Sequence, residues 1–103
     1  MILSKLDGTI PVAHLSVRGA AILVAFLEAA FEDLSPGDKA ETYAKLQAAA
    51  AREGLRGEVA AVWEDRQGRT RFIAPPQQHP FFHVVNYSQL RAQVNGTIEI
   101  TAT

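Results

Sequence analysis

Apolar residues along this chain recur in two rhythms, one at helical pitch and one in the alternation of a strand. From Val17 to Leu34 the large apolar residues Leu23, Leu27, Phe31 and Leu34 fall on one helical stripe, widened by Val24 and Phe26, with Arg18, Glu28 and Glu32 opposite. Ser16 stands where an N-cap belongs, and Leu15 where it staples a first turn. This pattern predicts a buried helix from Val17 to about Leu34. Ser35-Pro36-Gly37-Asp38 predicts the start of a second: serine caps, proline fits the first position, and aspartate favours the positive end of the dipole. That helix runs through an alanine-rich stretch anchored by Tyr43 and Leu46 to Glu53, where Gly54 closes it and Leu55 folds back over its last turn.

Strand signals lie outside these segments. Met1 to Leu6 and Thr9 to Val12 flank Asp7-Gly8, a hairpin turn pair, although Pro11 must sit on an edge or face away from a partner strand, which weakens the second arm. Glu58 to Glu64 and Arg69 to Ala74 flank Asp65-Arg66-Gln67-Gly68, predicting a second hairpin with Val62 opposite Phe72, Ala61 opposite Ile73 and Trp63 opposite Arg71. In this register Ala60, Val62, Phe72 and Ala74 share one face, and Val59, Ala61, Trp63, Arg71 and Ile73 the other. Both faces are apolar, so one takes the helices and the second needs another cover. Pro75 to Pro80 reads as an extended loop and Phe81 to Val85 as a strand. Asn86 with Gln89 forms a capping pair, Val85 and Leu90 a staple, and Asn95-Gly96 a stop, so a short helix precedes a final strand from Thr97 to Thr101. The fold expected is α+β: an antiparallel sheet, two main helices packed on one face, and a short C-terminal helix before the last strand.

Composition narrows the function classes. At 103 residues the chain fits one domain, and 48% hydrophobic with 20% charged residues places it among sequences that fold. Ten basic against eleven acidic residues leave a charge of −1, which provides no field for nucleic acid or an anionic membrane. The basic residues Arg52, Arg56, Arg66, Arg69 and Arg71 are interleaved with Glu53, Glu58, Glu64 and Asp65, which argues against an RNA-binding sheet. There is no cysteine, which excludes disulfides, thiolate metal sites and thiol catalysis. The longest apolar run, Gly19 to Leu27, falls short of the ~20 residues of a membrane-spanning helix. A cytoplasmic location is expected.

No residue spacing specifies catalysis. Ser4, Ser16, Ser35 and Ser88 occur in turn or cap contexts, and Gly54-Leu55-Arg56-Gly57 follows a helix where a phosphate loop would open one. His79 and His83 have the spacing of two ligands on one helix face, but Pro80 and the strand-like flank argue against that geometry. Neither a metal nor a cofactor is expected. Two function classes remain. The first is a binding, regulatory or assembly module that self-associates or meets a protein partner through the second sheet face, with Val59, Trp63, Arg71 and Ile73 at its centre and Arg71 stacked on Trp63. The scarcity of charge after Phe72, only Arg91 and Glu99, also suits an interface. The alternative is a small enzyme or small-molecule-binding protein with a polar pocket around His79, His83 and Tyr87.

Overall fold

Seven apolar residues, Ala20–Phe26, form the central strand of a five-stranded mixed sheet. The computed structural model describes residues 8–17, 19–54 and 57–100. In chain order they form β1 (Gly8–Val17), β2 (Ala20–Phe26), a short 3-10 helix (Ala29–Asp33), α1 (Pro36–Arg52), β3 (Glu58–Glu64) and β4 (Thr70–Ile73). A 3-10 turn (Pro76–Gln78), α2 (His79–Val84), α3 (Tyr87–Arg91) and β5 (Gly96–Ile100) follow. The strand order is β4-β3-β2-β1-β5.

The α+β class is as expected, but the sheet is only partly antiparallel. The predicted helix from Val17 to Leu34 is instead the end of β1, all of β2 and the 3-10 helix, so Leu15 and Ser16 belong to β1. The β1–β2 hairpin pairs Val17 with Ala20, and Gly19 at the turn adopts φ +82. With a strand before α1 and a strand after it, the unit is a βαβ crossover, and β2 pairs parallel with β3. The first arm of the expected N-terminal hairpin lies outside the described residues, and Thr9 to Val12 form part of β1.

Strand alternation sorts the core into two clusters. Leu23, Ala25, Val59, Ala61, Trp63, Val12 and Ile98 share one with Leu46, Ala49 and Ala50 of α1 and with Phe31 of the 3-10 helix. Ile22, Val24, Phe26, Ala60, Val62 and Ala13 share the other with Phe82 of α2 and Leu90 of α3. The face expected to need an outside cover thus receives it from the same chain. A strand paired on both sides and covered on both faces must be apolar at every position, which accounts for the unbroken Ile22–Phe26 run.

Local signals place the remaining elements. The Ser35 hydroxyl accepts the Asp38 N–H at 3.1 Å and starts α1, and Gly54 adopts φ +71 after Arg52. Asn86 and Gln89 form a reciprocal capping box on α3. The expected Phe81–Val85 strand is α2, because Pro80 occupies the first turn of that helix, where its missing N–H breaks no bond. Among the described residues no helix is long and apolar enough to cross a membrane.

Candidate functional site

The site is built around the β3–β4 hairpin. Oδ1 of Asp65 accepts the N–H groups of Gln67 and Arg69, both at 2.9 Å, and Oδ2 accepts Arg69 Nε at 2.9 Å. These bonds, led by the Arg69 N–H, hold the Asp65 carboxyl below the usual aspartate range, against burial, which pushes it up. Gly68 completes the turn at φ +78. The Asp65 N–H donates to the Arg69 carbonyl at 2.9 Å, and this bond sets the alternation of the ladder. Trp63 with Arg71 and Ala61 with Ile73 are the hydrogen-bonded pairs, so the backbone groups of Thr70 and Phe72 point away from β3.

β4 is the last strand on its side of the sheet, and that outward edge borders an open cleft of about 500 Å³. Residues 68–72 form one wall; Phe82, His83, Val85 and Asn86 form the other. The Phe72 ring is stacked on Phe82 at 5.2 Å and meets the rings of His79 and His83 edge-on at 5.2 and 5.4 Å. His79 Nε2 lies 2.9 Å from the Ala74 carbonyl; a carbonyl only accepts, so this nitrogen carries the proton. The Tyr87 N–H donates to Thr70 Oγ1 at 2.7 Å. The segment from Ala74 to Tyr87 is thereby fastened at both ends of β4.

The structure separates the residues expected to form one interface. The hairpin register is the expected one, with Trp63 opposite Arg71 and Ala61 opposite Ile73. Trp63 and Val59, however, are only 3% and 5% exposed, covered by the chain itself. Trp63 packs against Phe31 at 4.6 Å, and its Nε1 donates to Glu32 Oε1 at 2.7 Å. The cation over its ring is Lys39, at 5.8 Å, rather than Arg71. Arg71 instead reaches toward Asp65 Oδ2 (3.8 Å) and Glu32 Oε2 (3.9 Å), with its side chain 44% exposed. Ile73 is half-buried beside the α1-side cluster. Arg71 and Ile73 therefore lie on the outer strand, while Val59 and Trp63 lie in the core.

The expected pocket residues divide in a similar way. His79 and His83 share one face of α2, as their spacing allows, with ring centroids 6.4 Å apart. Tyr87 turns its ring edge-on to Phe26 at 5.7 Å. Among the described residues no three His, Asp or Glu side chains converge to hold a metal ion.

Two surface features carry no motif in the sequence. One is an apolar groove of about 400 Å³ bordered by Leu15, Val17, Phe81, Val84 and Leu90, where Val84 is 78% exposed. The other is an asymmetry between the two edges of the sheet. On β5 the Glu99 N–H donates to Glu53 Oε2 at 3.0 Å. Among the described residues no such bond reaches the Phe72 N–H on β4. Glu53 and Glu99 meet only because α1 and β5 come together, a juxtaposition with no sequence signal. No family model matches this chain, nor does any curated protein or solved structure.

Proposed function

We propose that this chain is a small binding or assembly module that acts through protein–protein contacts, and that its contact surface is the outer edge of β4 with the adjoining cleft. The observation that supports this reading is the outward-facing backbone of Thr70 and Phe72 beside a cleft walled by α2 and the start of α3. An edge strand with unpaired N–H and C=O groups is a template for another strand. Main-chain bonds supply affinity, and side-chain pockets supply selectivity. Here the flanking cleft offers Val85 to an apolar side chain and His83 and Asn86 to a polar one.

Selection of binders from a displayed library of random linear peptides, followed by amide-shift mapping, tests this reading. Binders are expected to shift the amides of Thr70, Arg71 and Phe72. Binders that shift only Leu15, Val17 and Val84, or a library that yields none, would contradict it. The grouping of His79 and His83 around Phe72 favours one second reading, a small polar ligand in the same cleft. That reading requires a compound whose binding raises the melting temperature of wild type and not of His83→Ala.

A further inference from the structure

We propose that the partner at the β4 edge is a second copy of this chain, joined strand to strand about a two-fold axis at Phe72; this rests on the reading of that edge given above. Two antiparallel copies of one edge strand offer each other complementary donors and acceptors, and Thr70 and Phe72 carry the outward groups.

Charge selects the register. With the axis at Arg71, two guanidinium groups stand directly opposite each other, a destabilising cross-strand pair. With the axis at Phe72, Phe72 faces its own copy, an aromatic pair, Arg71 faces Ile73 of the second copy, and Thr70 meets Ala74, whose carbonyl keeps a second lone pair beside the one His79 Nε2 takes. The half-buried side chain of Ile73 and the exposed one of Arg71 meet without like charges opposed.

The two edges of the sheet also decide between closed and open assembly. Pairing of β4 with β5 of another copy would run head to tail and, unless the rotation closes a ring, extend without limit. The Glu53 carboxylate already accepts the Glu99 N–H on the β5 edge, so pairing there must first displace it. Pairing of β4 with β4 closes after two copies. A strand of four residues gives a small contact, so the dimer is transient and concentration-dependent.

Sedimentation equilibrium on wild type, I73K and I73E tests the proposal. Wild type is expected to show a reversible monomer–dimer equilibrium. I73K places a lysine opposite Arg71 twice per dimer and should weaken association by about tenfold. I73E places a carboxylate there and should leave it equal or tighter. Both variants remove the same apolar side chain, so their difference reports the register. Equal weakening by the two overturns the Phe72 axis, and wild type that stays monomeric to about 1 mM overturns self-association. If wild type is monomeric but selected peptides still shift the Thr70–Phe72 amides, the second copy is wrong and the binding edge stands; if neither occurs, both fail. Should the variants not fold, wild type alone provides the test: exchange of the Phe72 amide must slow as concentration rises, and a rate independent of concentration overturns the proposal.

Discussion

Replacing Trp63 with alanine removes a side chain that is almost completely enclosed between the sheet and the Phe31 segment. Truncation of a buried tryptophan costs about 3–5 kcal/mol in lost transfer energy and cavity formation. The edge-on contact with Phe31 at 4.6 Å and the bond to Glu32 at 2.7 Å disappear with it. Glu32 keeps 29% of its side chain exposed, so water replaces the lost donor and limits that share of the penalty. A cost near the top of the range consumes much of the roughly 5–15 kcal/mol that keeps a domain folded. W63F separates the contributions: it retains an aromatic ring against Phe31 and loses the N–H, for an expected cost of about 1–2 kcal/mol. Urea unfolding followed by circular dichroism measures both variants without relying on the fluorescence of the lost tryptophan. If W63A costs less than 1 kcal/mol, the enclosure of Trp63 by its own chain is refuted. If W63A instead abolishes association while leaving the urea midpoint unchanged, the face around Trp63 is an interface after all.

Other expectations follow from single residues. Asp65 is held below the usual aspartate range by the Arg69 and Gln67 N–H groups and the Arg69 side chain. It therefore contributes stability that is present above the unfolded-state value of about 3.9 and is lost as pH falls through the lower folded-state value. D65N should be less stable than wild type at pH 7, with a gap that narrows in acid; a gap unchanged down to about pH 2 would contradict the assignment. An alanine at Gly57 would bring Cβ to 2.7 Å from the Ala21 carbonyl oxygen, in a backbone at φ +104. Backbone strain of this kind costs about 1–3 kcal/mol before the clash is added. At Gly19, φ is +82 but the space is open, so G57A should lower the urea midpoint more than G19A does. Equal effects would show that the bend at Gly57, just before β3, yields to the clash.

Features with local causes could be read from the sequence, and those set by long-range pairing could not. The start of α1 at Ser35-Pro36, its close at Gly54, the β3–β4 register and the Asn86–Gln89 box follow from short-range chemistry. The segment from Val17 to Leu34 did not, because a strand buried on both faces has no alternation to distinguish it from a buried helix. Leu23, Leu27, Phe31 and Leu34 fall at helical spacing although they belong to β2, the residue after it, the 3-10 helix and the extended residue that caps it. The glycine at position 19 was the available turn signal. The helical spacing of this segment conceals both the βαβ crossover that makes the sheet mixed and the placing of α1 on one face with α2 and α3 on the other. Pro80 misled in the opposite direction, since proline stops a helix from the interior but is accepted in its first turn. The hairpin alone places Val59, Trp63, Arg71 and Ile73 on one face, and only the strand order and the packing of α1 and the 3-10 helix enclose Val59 and Trp63. The open edge itself depends on strand order, which no local pattern records.

Residue-resolved amide hydrogen exchange on dilute protein tests the central claim, that the outer edge of β4 is free to receive another strand. The Phe72 amide should exchange far faster than those of Arg71 and Ile73, which face β3, and faster than that of Glu99, which the Glu53 carboxylate accepts. If Phe72 is protected to the same degree as Arg71 in the dilute monomer, the edge is already closed and the proposed contact surface does not exist.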